Sequence, residues 1–418
     1  MLKRTGTLTA IVASAAVMLA SAAPAGAANF EPGAGTYEVD TSALTLTGPG
    51  TSVNGVDQGG VAVFSFDNVS IPASAEILID GTRPFRLVAS GDLALAGLIE
   101  GSGYDEVVNG GNTANPGGPN GGAGGANGTQ PGQGAGGGAT ASSTLSGGGG
   151  GGFGGAGAAG GNSSGTGGVG GLPYGDLAIL FQGGSGGAGS APAIAGQGAG
   201  GGGGGGAVAL FGSSVRITAS GEVLAEGGHG AIGAGGGSGG GSGGAIVLHA
   251  DSLQLDGLLS ADGGDGGAGG CCGAGGGGAG GRVALEYKTL SMTGLTSVAG
   301  GISGTADNGL PLGPGPIGGA AGGDGVVTKT LIPSPSPVVS TPPPAVVAKP
   351  SCIVPKLKGK KVAAAREALK KAHCAAGKVR KRFSAKVKKG RVIGQKTKAG
   401  QVLPEGAKVG LKVSKGPA

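Results

Sequence analysis

The residues best suited to chemistry are two carboxylates, Glu226 and Asp262, each of which stands directly before a Gly-Gly pair in successive repeats of the chain. Two carboxylates held close together could act as a general acid and base, or could bind Ca²⁺ together with the nearby Asp265. The next repeat has Ala299 at the equivalent position, and no Lys or Arg of the repeats aligns beside the pair to serve a lyase. Because a carboxylate before glycine is also ordinary turn chemistry, the pattern favours a protein that is not an enzyme.

The three histidines do not form a cluster in the sequence. His229 lies in a glycine-rich loop, His249 in a strand-like run and His373 near the C-terminal end, and we expect all three to be solvated. A zinc site combining His249 with Cys271 and Cys272 would have no recognised ligand spacing. The glycine-rich runs also lack the order of residues typical of phosphate-binding loops or of calcium-binding nonapeptides. The sequence therefore predicts no metal and no cofactor.

Positive charge is concentrated at the C-terminal end. The chain has 29 Lys and Arg and 23 Asp and Glu, of which residues 349–418 hold 21 and 2, so this end carries +19 and the rest of the chain −13. Such an end attracts anionic wall polymers or nucleic acid by charge alone. The densest group comprises Lys378, Arg380, Lys381, Arg382, Lys386, Lys388, Lys389 and Arg391.

The periodicity of residues 354–414 predicts the elements that position these basic residues. An extended segment, 354–360, precedes a helix over 362–374, in which apolar residues recur every three or four positions and basic residues face the other way. Ala376-Gly377 is expected to end this helix. Three strand-like runs follow, at 379–383, 391–395 and 409–414.

This order of elements, with the phrases VPKLKGK, AAAREALKKA, GRVIGQ and LPEGAKVGLKVSKG, closely resembles a PASTA domain over residues 352–416. The resemblance implies a small α+β domain with a helix packed on a three-stranded sheet. Such domains occur as extracellular repeats on penicillin-binding proteins and on bacterial membrane Ser/Thr kinases, where they are associated with uncrosslinked peptidoglycan. The chain departs from the family by having one copy, and by having Thr397 where the phrase Gln-x-Pro-x-x-Gly usually has proline.

The resemblance implies peptidoglycan or muropeptides as partners, and three residues as candidate contacts. Arg391 opens the strand that carries the family's glutamine-containing phrase, and its planar guanidinium suits a stem-peptide carboxylate. Gln395, within that phrase, and Lys389, beside Arg391, complete the predicted set. Specific contacts with nucleic acid are not expected.

The cysteines predict a disulfide in the same domain. Cys352 stands just before the first extended segment and Cys374 ends the predicted helix, so the two can pair in an exported chain, where thiols oxidise. Four cysteines allow three pairings, and the adjacent Cys271 and Cys272 can bridge only through a strained ring. Their state stays open at this point.

The N-terminal residues predict export. Residues 1–27 have two basic residues, an apolar run and a small-residue exit, the pattern of a secretory signal peptide. No later segment offers the 18 or so consecutive apolar residues that a membrane span requires. We expect a secreted chain without a membrane span after cleavage, located outside the cell or at the wall.

The body of the chain is extreme in composition, with 107 glycines and no tryptophan. The absence of a strict Gly-X-Y period excludes collagen. Equivalent strand starts at Gly206, Gly244 and Gly281 lie 38 and 37 residues apart, and each is followed by two further short strands. This format predicts a mainly β fold, a glycine-rich right-handed parallel β-helix, in which Val208, Ile246 and Val283 stack inward.

The predicted organisation has six parts. They are a signal peptide at 1–27, first coils at 28–108, a low-complexity insertion at 109–171, β-helix repeats at 172–330, a Pro-rich linker at 331–350 and the PASTA-like domain at 351–418. The insertion is expected to be a loop or disordered, because its glycines would lose much entropy on ordering and it has little apolar surface to bury. Local packing of polyglycine segments within it stays open at this point.

The function that fits these features is that of a secreted, non-enzymatic bacterial envelope protein. The C-terminal domain would bind the wall, and the β-helix would be displayed. Two alternatives stay open: a polysaccharide-active β-helix enzyme targeted to the wall, and a general polyanion-binding surface protein.

Overall fold

The computed structural model describes residues 28–105, 118, 121, 132–135, 137–143, 145–177, 181–190, 199–306, 318–333 and 351–417. The chain divides into two compact units, Met1–Ser334 and Pro335–Ala418. The predicted signal peptide at 1–27 lies outside the described residues, as do residues 334–350 of the predicted linker. None of the helical segments in the described ranges has the length and apolar character that crossing a bilayer requires.

The regular secondary structure in the described part of the larger unit consists of strands. They are β1 (Gly35–Asp40), β2 (Thr45–Gly48), β3 (Thr51–Asn54), β4 (Val56–Gln58), β5 (Val61–Phe66), β6 (Val69–Ile71), β7 (Ala75–Asp80), β8 (Phe85–Ala89), β9 (Asp92–Leu95), β10 (Leu98–Glu100), β11 (Ala207–Ile217), β12 (Glu222–Leu224), β13 (Ala245–Leu255), β14 (Leu258–Ser260), β15 (Arg282–Met292), β16 (Leu295–Ser297) and β17 (Val326–Leu331).

These strands form two open sheets. One has the order β16-β14-β12-β10-β7-β1-β2-β3, and the other has the order β17-β15-β13-β11-β8-β5-β4, with β9 paired to both β11 and β6. Pairing is parallel from β16 to β1 and from β17 to β5. It becomes antiparallel at β1-β2-β3 and at β4-β5. The fold is therefore mainly β, as expected, but its sheets are mixed and neither closes on itself.

The repeat sets the register between neighbouring strands. Val208 pairs with Ile246, which pairs with Val283, and all three side chains are fully buried. The first two strands expected in each repeat are in fact one strand of 11 residues. They merge because pairing with the neighbouring strand continues beyond the buried stretch, through Ser214, Ser252 and Thr289.

Alternation along the strands builds one hydrophobic core from Phe30 to Leu285. In β7, for example, Ala75, Ile77 and Ile79 are buried while the residues between them are exposed. Beside the two sheets, this unit has a third part that is made mostly of glycine. Burial of side chains cannot stabilise that part.

This third part is a set of hydrogen-bonded backbone segments that we call the glycine array. It is made of residues 147–151, 184–190, 200–206, 225–231, 236–244, 261–267 and 273–281. Every third residue of a segment faces the same neighbour. Gly237, Gly240 and Gly243, for example, donate their N–H groups to the carbonyls of Gly273, Gly276 and Ala279 at 2.8–3.0 Å.

Segment 236–244 shows how dense the array is. Among the described residues it donates to 273–281, 225–231 and 184–190, and it accepts from 147–151, 200–206 and 261–267. A Cβ atom built on Gly240 would overlap the carbonyl oxygen of Gly264, and one on Gly239 would overlap that of Gly149. Only glycine permits backbones to approach this closely.

The described part of residues 109–171 contains the local polyglycine packing that the sequence left open. Gly149 donates to Ala139, Gly150 to Ala158 and Gly160 to Gly168, at 2.8–3.0 Å. Phe153 is fully buried against β11 and β13. Glycines without apolar surface can still be ordered, because buried backbone hydrogen bonds replace the missing side-chain burial.

We predict that Gly240→Ala lowers the stability of the larger unit by about 1–3 kcal/mol, since the added methyl group must displace backbone. The matched control is Gly318→Ala, where a Cβ would meet nothing within 4 Å. Thermal unfolding of the two variants measures the difference. Equal transition temperatures would contradict the close packing of the glycine array.

The smaller unit has the expected helix on a three-stranded sheet. Its elements are β18 (Cys352–Ile353), α1 (Val362–Lys371), β19 (Ala375–Arg382), β20 (Val392–Gln395), β21 (Val402–Leu403) and β22 (Lys408–Ser414). The sheet has the order β19-β22-β20, and β18 pairs with β21. Ala365 and Leu369 of the helix share a buried core with Val409, Leu411 and Val413 of β22.

The helix ends earlier than expected, at Lys371 instead of Cys374. His373 has a φ of 52°, the left-handed conformation. The N–H of Cys374 donates to Leu369 at 2.8 Å, and that of His373 donates to Lys370 at 3.2 Å. This pair of bonds is a Schellman motif, which closes a helix even without glycine. The prediction that Ala376-Gly377 ends the helix was therefore wrong.

Candidate functional site

The disulfide fixes the N-terminal segment of the smaller unit to the end of its helix. Cys352 and Cys374 are joined, with an S–S distance of 2.02 Å, and both are buried. The pairing predicted from the sequence is confirmed. Cys271 and Cys272, whose state the sequence left open, are also joined to each other.

We predict that replacing Cys352 and Cys374 by Ser lowers the stability of the smaller unit by about 3 kcal/mol, because the unfolded chain loses a closed loop. Hydrogen exchange of residues 351–417 in the full chain measures this effect. The control replaces Cys271 and Cys272 and should leave that exchange unchanged. Non-reducing peptide mapping that found Cys352 unpaired would contradict the assignment.

Arg391 and Lys389 flank the turn at Gly390, whose φ is 77°. Nη1 of Arg391 donates to the carbonyl of Gly359 at 2.8 Å, which ties the side chain to the segment before the helix. Among the described residues, the other guanidinium N–H groups of this half-exposed residue have no protein acceptor, and Lys389 is exposed. Both residues are placed where a ligand can reach them.

The side-chain amide of Gln395 makes its hydrogen bonds within the domain. Its Oε1 accepts the N–H of Leu357 at 2.8 Å, and its Nε2 donates to the carbonyls of Pro355 and Thr397 at 3.1 and 3.0 Å. The amide therefore joins the N-terminal extended segment to β20. Its role as a ligand contact stays a prediction, with the side chain already engaged within the domain.

We predict that Gln395→Ala destabilises the smaller unit by about 1–3 kcal/mol, because the N–H of the buried Leu357 loses its acceptor. Hydrogen exchange of residues 351–417 again provides the measurement. Lys396→Ala, at the exposed neighbouring position, should change stability by less than about 0.5 kcal/mol. Loss of ligand binding by Gln395→Ala with unchanged exchange would instead support a direct contact.

The outward face of the sheet carries basic residues that the sequence did not assign to one surface. Lys378, Arg380 and Arg382 are exposed on β19, and Lys408 and Lys412 are exposed on β22. The alternating residues Val409, Leu411 and Val413 are buried beneath the helix. The signal was the two-residue spacing of basic side chains on both strands, which places them on one face.

The carboxylates Glu226 and Asp262 of the larger unit accept hydrogen bonds from the next repeat. Oε1 of Glu226 accepts the hydroxyl of Ser260. Asp262 accepts the hydroxyl of Ser297 at 2.6 Å and the N–H of Ala299 at 2.6 Å. No group of three His, Cys, Asp or Glu suited to a metal is found in the described part of the chain.

Two further carboxylates, Asp265 and Glu100, lie near Glu226 and Asp262 in the repeats. Oδ1 of Asp265 accepts the N–H of Ile302 at 2.8 Å, and its own N–H donates to Nδ1 of His229 at 2.8 Å. Burial raises the pKa of Glu100, and the nearby Glu226 adds to this effect, while the hydrogen bonds from Ser102 lower it. These groups act as links between successive repeats.

A side-chain column on the other sheet was missed by sequence reasoning. Nδ1 of His249 lies 2.7 Å from Oε2 of Glu286. The ring of His249 stacks on the ring of Phe211 with centroids 4.9 Å apart, and Arg86 lies 4.7 Å from the centre of the Phe211 ring. Burial lowers the pKa of Arg86, an effect that Glu286 opposes. His249 is therefore paired, although solvation was expected; its side chain is 39% exposed.

Comparison with known proteins bears on the smaller unit. No curated protein and no solved structure matches the chain. Residues 353–415 match the family model described as the PASTA domain, in agreement with the phrases, the helix and the three-stranded sheet of this segment. The C-terminal segment of this chain, residues 353–415, is a PASTA domain.

Proposed function

We propose that this chain is a secreted, non-enzymatic protein of the bacterial envelope, whose PASTA domain binds peptidoglycan and whose glycine-rich body is displayed at the wall. The PASTA match at residues 353–415 carries this proposal, because it is consistent with a role in binding peptidoglycan. The disulfide between Cys352 and Cys374 and the predicted signal peptide support an extracellular location.

Muropeptides would be contacted at the turn formed by Lys389, Gly390 and Arg391. Arg391 is held at one N–H by Gly359, which leaves the rest of its guanidinium for a stem-peptide carboxylate. Pre-organisation of this kind reduces the entropy lost on binding. Gln395 would contribute indirectly, by holding β20 against the N-terminal segment.

For the body we propose a right-handed parallel β-helix. Its two sheets would be two sides of each coil, and the glycine array would be the remaining side. This arrangement is supported by the parallel pairing of β11 with β13 and of β13 with β15, in which paired residues are 38 and 37 positions apart in the sequence. We assign the right hand because crossover connections between parallel strands of one sheet are almost always right-handed.

A role in display without catalysis is supported by the positions of the carboxylates. Each of Glu226 and Asp262 is engaged by a serine hydroxyl of the following repeat. A general acid and base need free oxygens directed at one substrate bond.

A general polyanion-binding protein is the second candidate. The observation that favours it is the local charge of +19 in residues 349–418. Charge attraction alone weakens steeply as salt screens it, whereas recognition of a carboxylate at short range is less sensitive.

Binding of the full mature chain to purified peptidoglycan stripped of anionic polymers tests these two candidates. We predict that binding persists at about 0.5 M salt, where the screening length is only a few ångströms. Arg391→Ala should weaken it about tenfold, the loss expected for one charge-assisted hydrogen bond, while the exposed Lys386→Ala removes the same charge with little effect.

Hydrogen exchange of both variants confirms that the domain stays folded. Binding that disappears with salt, or that falls equally in the two variants, would contradict specific recognition and favour the polyanion candidate.

A further inference from the structure

The outward face of the PASTA sheet is a candidate second binding surface. We call it the cationic sheet face and define it by Lys378 and Arg380 of β19, Lys412 of β22 and Lys396, which follows β20. All four side chains are exposed. The helix packs on the opposite side of the sheet, so this face is uncovered within the smaller unit.

Like charges are placed directly beside each other on this face. Arg380 pairs with Lys412 across the parallel strands β19 and β22. Like charges at directly opposite positions destabilise a sheet. An anionic ligand lying between these side chains would relieve that repulsion.

The domain offers no carboxylate of its own for this purpose. Glu367 and Glu405 are the acidic residues of the segment 351–417. Glu367 lies 3.9 Å from Lys371 on the helix, and Glu405 lies 3.6 Å from His373 beyond the helix end. The positive charge of the face is therefore uncompensated among the described residues of this unit.

Two glycines form the floor between the basic residues. Gly394 pairs with Lys412, and the N–H of Lys396 donates to the carbonyl of Gly410 at 2.9 Å. A Cβ on Gly394 would meet nothing within 4 Å, and one on Gly410 would come no closer than 3.5 Å to Lys396. Neither glycine has a positive φ, so backbone conformation does not require glycine here. The missing side chains instead leave a bare strip on which a ligand can lie.

The spacing along β19 suits an extended polymer. Residues of one strand face recur about every 6.6 Å, so Lys378 and Arg380 present successive charges along one line. A polymer with one anionic group in each short repeat could pair with them in turn. A single small anion would use only part of the face.

The scarcity of aromatic side chains in the smaller unit favours a polymer without bases over nucleic acid. Single-stranded nucleic acid is held by stacking of bases on several aromatic rings. Phe383 is the one Phe, Tyr or Trp of segment 351–418, and Lys415 lies 5.1 Å from the centre of its ring. A polymer without bases therefore fits the face better.

We propose that the cationic sheet face binds a linear phosphodiester polymer of the cell wall, which lies along the paired strands β19 and β22, with its phosphates beside Arg380 and Lys412 and above Gly410. This binding is separate from the muropeptide contact at Arg391. It rests on the proposed function only in placing the chain at the wall.

Titration of the full mature chain with purified poly(glycerol phosphate) tests the proposal. The variant Arg380→Gln/Lys412→Gln should bind at least about tenfold more weakly and should reduce the slope of log affinity against log salt by about 1.5, the value for two lost phosphate contacts. The matched control, Arg366→Gln/Lys370→Gln, removes two exposed charges from the helix and should stay within about twofold of the parent chain. Equal losses in both variants would mean attraction by net charge alone and would overturn the proposal.

A second pair of variants tests the floor without removing a lysine or arginine. Gly410→Asp and Gly410→Asn add side chains of nearly the same shape, and their Cβ atoms would come no closer than 3.5 Å to the neighbouring atoms. Only the aspartate repels phosphate, so it should weaken binding several-fold more than the asparagine. Equal affinities of the two variants would overturn the assignment of phosphate to this strip.

Two further arms separate this proposal from its alternatives. Single-stranded DNA of equal charge should bind more weakly than the polymer, and equal or tighter binding that depends on Arg380 and Lys412 would assign the face to nucleic acid instead. Binding to peptidoglycan stripped of anionic polymers should weaken about tenfold in Arg391→Ala and stay unchanged in Arg380→Gln/Lys412→Gln. Loss in the second variant would make the sheet face part of the peptidoglycan surface and would overturn its separate role.

Discussion

The larger unit depends on backbone hydrogen bonds between segments that lie too close for any side chain. Segment 236–244 exchanges bonds with six surrounding segments, and a methyl group at Gly239 or Gly240 would overlap a neighbouring carbonyl. Ordering glycine carries a large loss of backbone entropy. The loss is offset only when nearly every N–H and C=O in the interior finds a partner, which makes the array cooperative and intolerant of substitution.

The glycine array and the hydrophobic core share one repeat. The N–H of Gly244 donates to Ala225, that of Gly281 donates to Ala261, and that of Gly325 donates to Val298. These are the same bond in three successive repeats, and each lies just before β13, β15 or β17. The buried side chains of the sheets therefore fix the register in which the glycine segments meet, and the array extends that register into a region without side chains.

The PASTA domain is stabilised and equipped in a different way. A small core, one disulfide and the buried contacts of Gln395 hold the domain together. Its basic side chains are exposed and free of carboxylates on the sheet face, where Arg380 lies directly beside Lys412 at a cost in stability. The two units also differ in charge, since residues 349–418 carry +19 and the rest of the chain −13.

The sequence by itself determined the features that depend on local pattern. The phrases from Val354 to Gly416, the pairing of Cys352 with Cys374 and the spacing of 37 and 38 residues were all readable, because each is carried by side chains at fixed positions. Tertiary structure decided the rest. Glycine segments carry no side-chain pattern that specifies a partner, so their pairing and the order within residues 145–171 emerge only once the sheets set the register. The same holds for the contacts of Gln395 with Leu357 and Pro355, 38 and 40 residues away, and for that of His249 with Glu286, 37 residues away, because these groups meet only in the folded chain.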